Sequence, residues 1–226
     1  MKKTLLFLLI LVTLYSCKNT TKEAKEVKET PVRSTTEQIA HNAGIENWDE
    51  INEVKFTFSV GKMGQTLYAR NWTWNRNTGD VTLIAPPDTV HYNRNKSKDD
   101  RQTSADRAFV NDIYWLIPEF KFMTDQGTQI IEKTAAIAPI SNDTLDMFTI
   151  IYNKDGGYTP GDAYDVYYDK DHNLREWVYR QKNDTVVGMM NTFEKFETIN
   201  GIKIATDHRT PDRMTRIHLT NIEFNK

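Results

Sequence analysis

Five histidines, His41, His91, His172, His208 and His218, are the side chains best suited to metal binding or proton transfer. None has a partner at metal-ligand spacing or one helical turn away, so the pattern predicts no metal site and no cofactor. His172 falls within the turn Asp169 to Asn173. The sequence has no Gly-x-Ser-x-Gly elbow and no glycine-rich phosphate loop, and so marks no nucleophile. Asp99, Asp100 and Asp106 cluster near a helix start, where acid and base chemistry competes with capping of free backbone N–H groups. Capping alone accounts for their placement. A dispersed enzyme site using Asp106, Asp112 or a histidine has no supporting spacing, and the expectation is a protein that is not an enzyme. Asp155 to Asp162 is rich in glycine and acidic groups, but its spacing departs from a calcium loop and reads as a structural turn.

The aromatic side chains are more informative. Tyr68, Trp72, Trp74, Tyr114, Trp115, Trp177 and Tyr179 are many large rings for a chain in which 27% of residues are charged. Trp and Tyr offer apolar area with a polar handle, which suits either a core or the lining of a cavity. Alternation cannot say which face is hollow, so both readings stand. On the ligand reading the binding residues are Tyr68, Arg70, Trp72, Trp74 and Trp115. Arg70 shares a strand face with Trp72 and Trp74; if that face points inward, it needs a carboxylate or a ligand head group such as phosphate.

A different chemistry belongs to Cys17. Lys2 and Lys3 precede an apolar run from Thr4 to Leu14, which is shorter than the roughly 20 residues a membrane-spanning helix needs and fits a secretion signal over residues 1–16. The run ends at Leu14-Tyr15-Ser16-Cys17, which resembles the lipobox of bacterial lipoproteins, with Tyr15 bulkier than is usual. That resemblance implies a diacylglyceryl group on the Cys17 sulfur and a further acyl chain, a palmitate-type modification, on the new amino terminus. Several acyl chains, at about 0.8 kcal/mol per buried methylene, hold a protein firmly to a membrane.

Cys17 is the one cysteine, so the folded part has no disulfide. The formal charge of −2 becomes more acidic once Lys2 and Lys3 are removed, and no basic patch offers a footprint for nucleic acid. The expected partners are therefore a membrane, through acylated Cys17, and a lipid or other hydrophobic ligand.

These residues must be positioned by a domain that follows a tether. Residues 17–34 lack aromatics and read as a linker spanning roughly 20 to 25 Å. Residues 35–226 read as a single domain. Thr35 or Thr36 caps a short helix through Ala43, with Gly44 ending it. Val54, Phe56, Phe58 and Val60 then alternate with polar residues as a half-buried strand. Tyr68 to Trp74, Val81 to Ala85 and Thr89 to Asn93 continue the strands, with turns at Gly61 to Gly64, Asn77 to Asp80 and Pro86 to Asp88. A helix is expected from about Thr103 to Tyr114, with Pro118 as its outer limit. Further strands cover Thr128 to Ala136, Thr144 to Tyr152, Ala163 to Tyr168, Leu174 to Gln181, Val186 to Thr198, Ile202 to Arg209 and Met214 to Phe224. Asn200-Gly201 is the clearest hairpin signal. The predicted fold is mainly β (α+β): a strongly curved antiparallel sheet or half-barrel closed by one or two short helices.

The order of Ala43-Gly44, Trp48, the Asp155 to Asp162 segment with Tyr164 and Tyr167, Trp177, and Phe196 with Ile199-Asn200-Gly201-Ile202 resembles a family of Bacteroidota lipoproteins. That family is similar in layout to the LolA/LolB lipoprotein-carrier superfamily. The resemblance covers residues 35 to 224 and implies a half-barrel over an apolar cavity. Some Bacteroidota lipoproteins carry an acidic surface-export signal after the cysteine; Lys18-Asn19-Thr20-Thr21 lacks it, which favours the periplasmic side of the cell envelope. Asp88-Thr89-Val90, Asp143-Thr144-Leu145 and Asp184-Thr185-Val186 resemble the Asp-Thr-aliphatic sites of O-glycosylation in that phylum, and serve equally well as turn residues leading into strands. Two functions compete: a membrane-anchored protein holding a hydrophobic ligand, and a structural or interaction module with a sheet interior filled by its own side chains.

Overall fold

The computed structural model describes residues 32–155 and 158–226. The expected signal, Cys17 and most of the tether lie outside the described residues. Helix α1 (Thr35–Asn42) is capped by Ser34, one residue before the expected Thr35 or Thr36. Ser34 accepts from the Glu37 N–H while Glu37 reaches back to the Ser34 N–H, a reciprocal box that the Ser-x-x-Glu spacing allows and Thr35 does not. Gly44 leaves the helix with φ of +85° and leads into a 3₁₀ turn, Ile45–Glu50.

Two antiparallel sheets follow. The larger contains β1 (Glu53–Lys62), β2 (Gln65–Asn75), β3 (Asp80–Ala85) and β4 (Asp88–Asn93), together with β10 (Glu194–Ile199), β11 (Ile202–Arg209) and β12 (Thr215–Asn225). Its order is β10-β11-β12-β1-β2-β3-β4. The smaller runs β5-β6-β7-β8-β9 in sequence order, from β5 (Thr128–Ile137), β6 (Thr144–Tyr152), β7 (Ala163–Tyr168) and β8 (Leu174–Arg180) to β9 (Met189–Thr192). The segment expected as one strand, Val186 to Thr198, is two. Phe193 turns the chain from the edge of the smaller sheet to the edge of the larger, its N–H donating to the Arg175 carbonyl. The two sheets are thus successive parts of one curved surface, open between β4 and β5.

Helix α2 (Asp100–Leu116) lies against this surface. It begins earlier than predicted because Asp99, not Thr103, closes a capping box with Gln102. Pro118 ends α2 as expected, since a residue before proline is pushed out of the helical region; Ile117 has φ of −137°. The same proline opens α3 (Pro118–Thr124), for which the sequence pattern gives no separate signal. Proline is well suited to a first helical position because its missing N–H would have no partner there. Asp112 to Phe120 are all buried, so this bend forms the centre of the core.

Candidate functional site

Strand pairing fixes the face. Val54, Phe56, Phe58 and Val60 of β1 stand opposite Trp74, Trp72, Arg70 and Tyr68 of β2, as the alternation requires. This face meets α2. Trp72 and Trp74 pack edge-on against Phe109 at 5.3 and 5.4 Å. Aromatic edges of this kind add about 0.5–1.5 kcal/mol beyond the area they bury.

Arg70 finds its carboxylate in α2. Its Nε and Nη2 donate to Asp112 at 2.7 and 2.6 Å, and Trp72 Nε1 donates to the same group at 2.8 Å. The Asn111 amide adds a further bond of 2.9 Å. Burial pushes the Asp112 carboxyl up, against the pull of Arg70, Asn111 and Trp72. Satisfying both oxygens is what allows a carboxylate with no exposed surface to stay there. The Arg70 guanidinium also lies 5.0 Å from the Phe58 and Tyr68 ring centres. Tyr68 sits at the rim of the face, 46% exposed.

Asp106 has a different task from the helix-start role expected of it. It is buried and accepts from Arg94 Nε at 3.0 Å and from the Tyr158 hydroxyl at 2.7 Å, tying α2 to the loop before β7. Only Asp99 of the three aspartates provides the cap's side-chain acceptor. Within the Asp155 to Asp162 segment, Asp162 accepts from Tyr179 Oη at 2.7 Å and from the Lys182 N–H at 2.8 Å, which commits it to holding the turn.

Trp115 faces the junction of the two sheets. Its ring lies 4.5 Å from Trp177 and 5.0 Å from His208, and it is buried with both. The predicted set therefore divides in two: Arg70, Trp72 and Trp74 meet one flank of α2 on β2, with Tyr68 at their rim, and Trp115 meets β8 and β11. Trp72 and Trp115 are in ring-to-ring contact with the core in this state. Among the described residues, no three His, Cys, Asp or Glu side chains gather as metal ligands, and no helix is long and apolar enough to cross a membrane.

Sequence spacing gives no pointer to two other buried polar groups. Glu119, at the start of α3, is pushed up to about 7 by burial. It lines a recess of about 10 Å³ with Asn42, Ala43, His172, Asn173, Phe196 and Lys203, room for about one water molecule. Asn191 is fully buried on β9. Alternation along Ile202, Ile204 and His208 was the available signal that His208 faces inward. Thr89, Thr144 and Thr185 are all exposed. Thr89 and Thr144 stand at strand starts, whereas Thr185 lies in the loop before β9.

No protein-family model matches the chain, and no curated protein matches it. Among solved structures, a LolA superfamily protein from Nitrosomonas europaea is similar over 86% of this chain and 95% of that one, with 10% identity and a TM-score of 0.47.

Proposed function

We propose that the chain is an envelope lipoprotein, held to a membrane through acylated Cys17, whose inner sheet face binds a lipid or another hydrophobic ligand. The observation that carries the ligand reading is the inner face itself. Trp72 and Trp74 pack on Phe109, and Trp177 on Tyr114 and Trp115, so aromatic rings from both sheets meet the one helix α2. Helix α2 and the start of α3 cover this face. The ligand takes the place of Trp115 and its neighbours when the segment shifts.

Native mass spectrometry of the chain lacking residues 1 to 17 tests this. Adducts of acyl-lipid mass are expected, together with a change in tryptophan fluorescence on titration with lipid. Neither adducts nor a fluorescence change would remove the ligand reading. A second reading, a structural or interaction module, draws on the ring-to-ring filling around Trp72 and Trp115. It predicts a stable protein partner on crosslinking and no lipid.

A further inference from the structure

Where the two sheets join, Trp177 and His208 pack against Trp115. Trp177 and Asn191 stand opposite each other on β8 and β9. The Trp177 ring lies 5.1 Å from Phe193, and the His208 ring lies 4.8 Å from Phe193. Trp177, Asn191 and His208 are 2%, 0% and 0% exposed. Yet among the described residues Trp177 Nε1, both amide atoms of Asn191 and His208 Nε2 have no hydrogen-bond partner. An unpaired buried polar atom costs about 1–3 kcal/mol, so a purely structural core would be better served by apolar side chains at these positions.

The chemistry of the set is specific. His208 Nδ1 lies 3.1 Å from the Thr192 carbonyl and must donate to it. Nε2 of the neutral ring is then an acceptor. Burial holds the ring neutral, with its pKa lowered to about 4. The group therefore offers donors at the Trp177 indole and the Asn191 amide nitrogen, and acceptors at the Asn191 amide oxygen and His208 Nε2. The nearest charges are already engaged, Asp207 by Arg216 at 2.7 Å and Glu194 by Arg213 at 2.9 Å. A phosphate or an ammonium would find no counter-charge among these three residues. A hydroxyl, which donates and accepts, beside an ester carbonyl, which accepts, would match them.

We propose that Trp177, Asn191 and His208 form a polar recognition site that binds the uncharged, hydroxyl-bearing head of an acyl lipid when Trp115 is displaced. This rests on the ligand reading above. It adds that the head group docks at the sheet junction while the acyl chain lies along the aromatic face toward Trp72.

Photo-crosslinking of the full chain in phosphatidylcholine vesicles tests it. The vesicles carry either a monoacylglycerol with a diazirine in its chain or a diazirine-bearing alkane of equal length. The wild-type chain is expected to capture the monoacylglycerol about tenfold better, the effect of roughly one neutral hydrogen bond made in a dry site. Asn191→Leu and Trp177→Phe should lose that preference and keep the alkane labelling. Asn191→Leu should melt no lower than wild type, because it removes an unpaired polar group. Equal capture of both probes by the wild-type chain, or an undiminished preference in both variants, overturns the polar site and leaves the ligand reading standing. No labelling of inner-face peptides by either probe overturns both.

Discussion

At the scale of single residues, the core contains ionisable groups whose costs are met unequally. Asp112 is the best satisfied, with four hydrogen bonds from Arg70, Trp72 and Asn111. Removing it by Asp112→Ala leaves Arg70 and the Trp72 N–H without a partner and should cost about 3–5 kcal/mol. Urea denaturation measures this. The double variant Arg70→Met/Asp112→Leu should recover much of the loss but not all, since the Trp72 N–H stays unpaired. A double variant no more stable than Asp112→Ala would show that the pair is not what clamps α2. Glu119 and His208 oppose each other in pH. His208 has a folded pKa of about 4 against an ordinary 6.5, so as pH falls the unfolded chain takes up the proton first and stability is lost from 6.5 down to 4. Glu119 titrates near 7 against 4.5, so the folded chain keeps a proton that the unfolded chain releases, and stability is lost as pH rises from 4.5 to 7. Each contribution is about 3 kcal/mol when fully developed, and between pH 4.5 and 6.5 the two nearly cancel. Relative to wild type, Glu119→Gln should therefore gain stability on going from pH 4.5 to 6.5, and His208→Gln should lose it. Denaturation midpoints of both variants that run parallel to wild type across this range would contradict the assignment.

At the scale of elements, the close approach of α1's end to the β10–β11 hairpin shows how little freedom some turns have. A Cβ on Gly44 would lie 2.0 Å from the Gly201 carbonyl oxygen, which is backbone and cannot swing aside. With φ of +85° adding its own strain, Gly44→Ala should cost about 2 kcal/mol or more, read as a lowered melting temperature. A melting temperature unchanged by the substitution would mean that the α1 end is not docked on the hairpin. Much of this architecture was legible beforehand. The strands Thr144–Tyr152, Ala163–Tyr168 and Ile202–Arg209 follow from alternation bounded by turn residues, and the Asn200-Gly201 turn from its positive-φ pair. What was illegible depends on tertiary context. Val186 to Thr198 contains no proline and no strong turn pair to divide it, and only the demand that one strand end each sheet splits it at Phe193. Pro118 carries equal signals for ending one helix and starting another. The polar set of Trp177, Asn191 and His208 comes from three strands, with no local spacing to announce it.

At the scale of the whole molecule, location and fold are separable. Residues from Arg33 to Lys226 form a compact unit with their own continuous core. The anchoring chemistry assigned to Cys17 belongs to the segment before it. If acylation there supplies the only hold on the membrane, Cys17→Ala should move the protein from the membrane pellet to the soluble fraction. Membrane affinity on the acyl model scales with buried methylenes and should fall by many orders of magnitude, whereas none of the core contacts around α2 changes. The melting temperature of the released protein should therefore match that of a chain beginning at Arg33. Fractionation and thermal unfolding together check this, since each reports on one part of the chain. Persistent pelleting of Cys17→Ala would place the membrane contact on the folded unit, where Met63, Leu67, Tyr68 and Met214 are exposed on two adjoining hairpins. A lowered melting temperature would instead mean that the anchor segment contributes to the stability of the fold.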